Sequence, residues 1–429
     1  MRTMSLKALL KTRYGKGFRT REAIEAHHQR SFARFRRAVM PRSPFYADYA
    51  DTPLSDLPRM TKQTLMAHFT AINTCGIDRE KAFEIALRSE QSRDFSPMIG
   101  DVSVGLSTGT SGQRGLFLAT PKERKLWAAI LAGRFWPNLA RPQRVAFFMR
   151  ADNALYRTLG NPLLRFEFFD LLDPFDTHLP RLQALAPTVL IAPASMLKVL
   201  AIAQNSGQIA LSPKRVISVA ETLSPEDRDI AKQAFNCQID EVYQATEGVL
   251  AFTCQEGNLH LNEAWMRIER DIIDPQTGAF CPIIHDFTRE SLLLLNYRLN
   301  DVLIPNPDPC PCGSACMRIA RIEGREDDAL WWDGPNGAKM VSAEAIRTTI
   351  ACLPSPITDY RVIEKDKHLT IWLEDAAPES ETELRHAFAA LAARLDVNLP
   401  ALTIRNGLPA EPDFKRRRIR VERQPRHCE

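Results

Sequence analysis

The stretch TVLIAPASMLKVLAIAQNSGQIALSPKRVISVAETLSPEDRDIAKQAFNCQIDEVYQATEG, residues 188–248, decides the fold. TVLIA (188–192), RVISVA (215–220) and IDEVY (239–243) are short apolar, β-branched runs that read as buried strands. ASMLKVLAIAQN (194–205) has apolar residues at helical spacing and stops near Gly207. SPEDRDIAKQAF opens with Ser224 as N-cap, Pro225 at the first helical position and Asp227 completing a capping box. Alternation of strand and helix in this order predicts a parallel sheet with right-handed crossovers. Ligands then gather at the loops that follow the carboxyl ends of the strands.

Upstream lies LSTGTSGQRG (106–115), which packs Ser107, Thr108, Thr110 and Ser111 among Gly109, Gly112 and Gly115. Glycines let the backbone approach a ligand closely, and hydroxyls with free N–H groups can surround phosphate oxygens. A flexible loop is the plain alternative. No Gly-Lys-Ser/Thr closes the run, so it is not the loop of switch-type ATPases. Before it, the first hundred residues read as mainly helical and basic, with apolar positions at helical spacing in TREAIEAHHQRSFARFRRAVM (20–40).

Beyond Gly324 the pattern changes to α+β. DGPNG (333–337) precedes a helix in SAEAIRTTIAC, then a hairpin turning at Lys365-Asp366-Lys367, a helix over 379–396 and the strand ALTIRN (401–406). The expected organisation is a helical N-terminal part (1–100), an α/β core with parallel and mixed sheets (101–324), and a small C-terminal α+β domain (325–429). A chain of 429 residues is long enough for two or more domains. With 45% hydrophobic and 25% charged residues it has the composition of a globular protein. A net charge of +4 is too small to argue for a nucleic-acid partner. The longest apolar run is interrupted by Pro193, Ser195 and Lys198, so no membrane span is expected. The N-terminus has no apolar segment followed by a cleavage site, and nine cysteines suggest a reducing compartment; cytoplasmic location is the expectation.

Chemistry-bearing residues fall at the strand ends. Glu221 follows the second strand, with Ala220 before it, and YQATEG (243–248) follows the third with a ring, a hydroxyl and a carboxylate in one turn. A stacking ring beside a carboxylate for magnesium suits a nucleoside triphosphate, since magnesium takes oxygen ligands and offsets phosphate charge. Asp301 follows SLLLLNY, where a carboxylate can hold ribose hydroxyls. Taken singly, each of these acids reads more readily as a solvated loop acid.

In order and spacing these segments resemble the adenylate-forming superfamily of acyl-CoA synthetases, and within it the phenylacetate–CoA ligase and coenzyme F synthetase branch. STGTSGQRG is similar to the family's phosphate loop (Ser107, Thr108, Gly109, Thr110, Ser111, Gly112), VAE (219–221) to its adenine-side segment, and YQATEG to its Tyr-x-x-Thr/Ser-Glu motif. YRLND resembles Tyr-Arg-x-Gly-Asp, and CPCGSACMRIARIEGREDD resembles the Cys-Pro-Cys-Gly…Gly-Arg-x-Asp-Asp segment of this branch. The resemblance implies that Tyr243 stacks on adenine, that Thr246 and Glu247 meet the phosphates and magnesium, and that Asp301 and Arg325 hold the ribose side. It implies Asp327 as the hinge of the small domain and, from LPAEPDFKRRR, Lys415 as the adenylation lysine. Read without the resemblance, Lys415 to Arg426 is a solvated basic tail.

The reaction implied is ATP-dependent activation of a carboxylic acid as acyl-AMP, followed by transfer to coenzyme A. The alternative is adenylyl transfer to a hydroxyl of a flavin-like cofactor. Departures from the pattern are Phe414 for a glycine, Asn300 for the glycine before Asp301, Leu116 and Phe117 after Gly115 where many members carry lysine, and no histidine in VAFFMRADNALY. Phe147, Phe148, Tyr156, Phe166, Phe168 and Phe169 either line an acid pocket or pack a core. Cys254, His260, Cys310 and Cys312 form a Cys3His candidate for structural zinc, with Cys316 in reserve and buried free cysteines as the alternative. The expected partners are a small-molecule acid and ATP, with a homodimer held open as the assembly.

Overall fold

The computed structural model describes residues 5–15, 17–92, 97–107, 114–150, 164–335, 337–355, 357, 359–374, 377, 379–409 and 418–422. By internal contacts the chain divides into two compact units. The first holds Met1–Glu269, Ile283–Arg298 and Asn306–Ala320; the second holds Arg270–Pro282, Leu299–Pro305 and Arg321–Glu429. The break thus falls a few residues before the Gly324–Asp328 expected from sequence, and the second unit recruits two earlier segments. Strand pairing explains one link between those segments: Phe280 pairs with Leu303 across an antiparallel ladder, a contact no local pattern announces.

In the first unit the strands Leu164–Asp170, Gln143–Met149, Val189–Ala192, Arg215–Val219 and Ile239–Ala245 lie side by side in that order, all parallel. Gly248–Thr253 and Leu259–Leu261 then continue antiparallel, making the sheet mixed. Side chains alternate strictly. Leu190, Ala192 and Val216 face a core built with the helices Ala194–Asn205 and Pro225–Phe235, whereas Val189, Ile217 and Val242 face Ala128 and Ala129 of the helix Pro121–Phe135. A three-stranded antiparallel sheet, Met98–Ile99, Val102–Leu106 and Leu116–Ala119, carries the LSTGTSGQRG run between its second and third strands.

Helix starts follow their caps. Thr20 accepts from the Ala23 N–H to start the helix Arg21–Ala38, whose buried face carries Ile24, His28 and Phe35. Thr120 and Glu123 form a complete capping box for Pro121–Phe135. At Ser224 only half of the expected box forms. Its hydroxyl accepts from Asp227 N, but Asp227 turns to Lys198 at 3.0 Å, being one methylene shorter than the glutamate such boxes prefer.

The aromatic cluster divides by face and is chiefly core. Phe148 and Phe169 are fully buried with rings stacked at 4.7 Å, and Phe147 packs on Phe166 at 5.4 Å; Tyr156 lies outside the described residues. The second unit has a sheet in the order Ala401–Asn406, His368–Glu374, Asp359–Lys365, Ile419–Glu422, with the helices Ala343–Ala351 and Ser380–Leu395 sharing its core. The strand Ile419–Glu422 corrects the reading of a wholly solvated tail: Ile419 is buried and pairs in parallel with Val362. Among the described residues no helix is long and apolar enough to cross a membrane.

Candidate active site

Ser107 and Gly115 clamp the neck of the glycine loop. Ser107 N donates to Gly115 O, and Gly115 N donates to Ser107 Oγ, both at 2.7 Å. A Cβ at Gly115 would lie 2.8 Å from Lys62 Cε and 3.4 Å from Ser107 Oγ, so a side chain there would push the flexible end of Lys62 aside. This places Lys62, a cation the sequence reading passed over, against the loop's neck. Thr108, Gly109, Thr110, Ser111 and Gly112 lie outside the described residues, as do Phe414 and Lys415.

The strand Ile239–Ala245 reverses into Gly248–Thr253 through a two-residue turn, Thr246-Glu247, with a register shift between Tyr243 and Gln244. Such a bulge re-aims the side chains beside it. Glu247 is held from both oxygens: Tyr297 donates to Oε1 at 2.9 Å and Thr246 Oγ1 donates to Oε2 at 2.8 Å. Below the turn, buried Arg289 donates Nη2 to the carbonyls of Thr246 (3.3 Å) and Glu247 (2.9 Å), and its guanidinium lies 4.9 Å from the Trp127 ring centroid. Asp286 stands 3.9 Å from Arg289 Nε; burial pushes its carboxyl up, against the opposing pull of Arg289 and Thr288. Tyr297 and Arg289 are roles the sequence reading missed. Tyr297 was legible as the first residue of YRLND; Arg289, in no motif, carried no signal.

At the adjacent strand end, Ala220 has φ +64°, and Glu221 N bonds back to Val219 O at 2.8 Å. This is a positive-φ γ-turn, a strained geometry for a residue with a Cβ. Glu221 does not stand free. Its Oε2 accepts from Ser195 N at 2.8 Å and so caps the helix Ala194–Asn205, whose own N-cap position, Pro193, offers no side-chain acceptor.

Asp301, Arg325 and Asp327 belong to the second unit. Arg325 Nε lies 3.6 Å from Asp301 Oδ1, and Asn300 Nδ2 donates to Asp327 Oδ2 at 2.7 Å while its carbonyl accepts from Glu326 N. Asn300, a departure from the family pattern, therefore anchors the expected hinge residue.

Cys254, His260, Cys310 and Cys312 converge with their ligand atoms all within 4.8 Å of one another. Tetrahedral zinc with Zn–S of about 2.3 Å and Zn–N of about 2.0–2.1 Å sets S···S edges near 3.8 Å and S···N edges near 3.6 Å. Cys254 Sγ–Cys310 Sγ is 3.8 Å and Cys312 Sγ–His260 Nε2 is 3.6 Å, so the donor set fits. His260 Nδ1 donates to Cys316 O at 2.8 Å, which leaves Nε2 as the ligand nitrogen. Cys316 is thus an outer support rather than a substitute ligand. Burial disfavours the Cys310 thiolate, yet the Cys312 N–H, His260 and the neighbouring thiols bring its pKa down to about 6.

No family model matches the chain. Protein CapK of Staphylococcus aureus is 30% identical over 141 residues, covering 30% of this chain and 29% of that protein. Phenylacetate-coenzyme A ligase of Thermus thermophilus is 26% identical over 100 residues, 22% of each chain. The chain therefore spans less than a third of either curated relative it matches. The whole fold is matched by 2-hydroxyisobutyryl-CoA ligase, solved in an open conformation with 2-HIB-AMP and CoA: TM-score 0.60, 16% identity, 94% of this chain and 91% of that one. This chain has the adenylate-forming ligase fold. Within that fold the Thr246–Glu247 turn, the Ser107–Gly115 clamp and the Asp301–Arg325 pair occupy the segments that the sequence resemblance singled out.

Proposed function

We propose that this protein is an adenylate-forming acid–thiol ligase. The observation that carries the reading is the Glu247 carboxylate, fixed by Thr246 and Tyr297 at the turn after the last parallel strand, where such sheets present ligands. Magnesium, when bound, takes oxygen ligands and offsets phosphate charge; Glu247 and Thr246 are the residues to hold it. Tyr243 stacks on adenine, Asp301 with Arg325 takes the ribose hydroxyls, and the 107–112 loop surrounds the phosphates. In the first step a substrate carboxylate oxygen attacks the α-phosphorus, the α–β P–O bond breaks and pyrophosphate leaves. Lys415 neutralises the charge that develops on the transferring group. In the second, the small domain turns about Asp327 and the thiolate of coenzyme A attacks the acyl carbonyl, releasing AMP. The alternative of adenylyl transfer to a flavin-like hydroxyl is set aside, because the fold neighbour carries an acyl-AMP together with CoA. Zinc is the ion proposed for the Cys3His set, in a structural role, since all four positions are taken by protein.

The test is pyrophosphate release across a panel of carboxylic acids, with AMP release measured on adding coenzyme A. Acid-dependent pyrophosphate and thiol-dependent AMP are expected, and Lys415→Ala should lower acyl-adenylate formation by about 100-fold or more, the scale of one lost charge-stabilising group. Unchanged adenylation in Lys415→Ala removes the lysine from the mechanism; acid-independent turnover removes the ligase reading.

A further inference from the structure

A concavity of about 290 Å³ opens between the helices Leu6–Tyr14 and Arg21–Ala38, the Ala264–Trp265 turn and the Phe287–Glu290 segment. Among the described residues none of the nucleotide motif residues lines it. Its volume is at the small end of ligand sites, which run from roughly 300 to 1,000 Å³. The walls are aromatic: Phe35 and Phe287 pack at 5.9 Å, and the Trp265 ring lies 4.5 Å beneath Lys11 Nζ. Lys11 and Arg34 both border the opening, and neither makes an ion pair with a described carboxylate. Glu290, the one acid among the described lining residues, is drawn off by Arg42 and Lys122. Burial first, and then the charges of Arg34 and Lys7, push the Lys11 ammonium below its usual range. Buried His28 donates Nε2–H to Glu263 O at 2.7 Å, so its Nδ1 is a lone-pair acceptor that finds no partner among the described residues.

Uncompensated cations above an aromatic floor suit an anion with a flat apolar body. We propose that this cavity binds a small aryl carboxylate. The carboxylate sits between Lys11 and Arg34, and the ring packs against Phe35, Trp265 and Phe287. An inorganic anion leaves the aromatic walls unused, and a neutral ring leaves the cations unpaired. Thr288 and Glu290 on the lining flank Arg289, whose guanidinium holds the Thr246–Glu247 turn, so the cavity backs onto the segment that supports the active-site carboxylate.

Binding is measured without ATP, by calorimetry and tryptophan fluorescence, with benzoate, inorganic phosphate and benzamide as probes on the full chain. Benzoate is expected to saturate with a Kd of about 1 mM or tighter, and phosphate and benzamide to bind at least about tenfold more weakly. Lys11→Ala/Arg34→Ala, at exposed positions that leave the fold intact by circular dichroism, should weaken benzoate by about tenfold or more, whereas Tyr297→Phe, in the nucleotide motif, should not. Absence of saturation, benzoate binding unchanged in the double variant, or phosphate binding as tightly as benzoate overturns the proposal. Because no nucleotide is present, this result stands or falls separately from acid-dependent pyrophosphate release.

Discussion

Glu247 reaches its working position through two hydroxyl donors. Tyr297 fixes one oxygen and Thr246 the other, and each oxygen keeps a further lone pair for the magnesium proposed above. Tyr297→Phe keeps the ring and removes the donor, so adenylation should fall by about 10-fold, the scale of one hydrogen bond to a charged group, with the Mg2+ concentration for half-maximal rate raised. Pyrophosphate-release kinetics over a magnesium titration check this; an unchanged titration curve removes Tyr297 from the site. Ala220 is the complementary case, a residue whose backbone conformation and side chain disagree. Ala220→Gly should stabilise the protein by about 0.5–1 kcal/mol in urea melts if relief of the left-handed strain exceeds the extra freedom glycine gives the unfolded chain. A loss of stability there means the γ-turn is held without strain. Neither partnership of Glu247 could be assigned from sequence: Thr246 is adjacent, but Tyr297 lies fifty positions away and meets it only through the sheet.

The loops that carry Cys254 and His260 meet those that carry Cys310 and Cys312. The strand Leu259–Leu261 is three residues long and pairs with Gly248–Thr253 on one side and with Ile319 on the other. So short a strand gains little from its own ladder, and the tetrahedral ion proposed for this Cys3His set would supply a constraint joining both loops. Purified protein should carry about one zinc equivalent by metal analysis, and a strong chelator should lower the melting temperature by several degrees, the scale of a lost local staple. Less than about half an equivalent, with chelator-insensitive melting, rejects the ion. The four residues were singled out in the sequence by donor type together with the family resemblance, the loose spacing leaving Cys316 as a fifth candidate, and the structure brings the ligand atoms of the four within 4.8 Å of one another. The helix Pro225–Phe235 makes the opposite point: its start was legible in Ser224 and Pro225, but the destination of the Asp227 carboxylate depended on Lys198 from a neighbouring helix.

At the scale of the whole molecule, the chain leaves the first compact unit after Glu269, and that residue is tied by charge. The His285 ring and the Arg267 guanidinium hold the Glu269 carboxyl down to about 2, against burial, and Arg267 also reaches Glu25 at 2.7 Å. A carboxyl held below its ordinary value adds stability that is complete above about pH 4.5 and is lost as pH falls towards 2. His285 has its own pKa lowered, chiefly by burial, so its protonation also disfavours the folded chain in acid. The stability difference between the protein and Glu269→Gln, from urea midpoints, should be largest near neutrality and shrink between about pH 4.5 and 2. A difference independent of pH refutes the role of this ion pair. The division into units was only partly readable for a related reason. Composition and period mark where α/β gives way to α+β, but the transfer of Arg270–Pro282 and Leu299–Pro305 to the second unit is a matter of long-range strand pairing. The strand Ile419–Glu422 escaped the reading because its charged alternate residues look like a solvated tail until Ile419 is seen inside the sheet.

Taken by itself, the sequence determined the parallel core and the order of the motifs, since each follows from local periodicity or turn chemistry acting over a few residues. Tertiary structure alone decided which groups fix Glu247, that Glu221 caps a helix instead of standing free, that the clustered phenylalanines are chiefly core, and that Lys11 and Arg34 border one cavity. Those outcomes depend on contacts between residues tens to hundreds of positions apart, and such contacts are set by how sheets register and helices pack, not by any short stretch of chain.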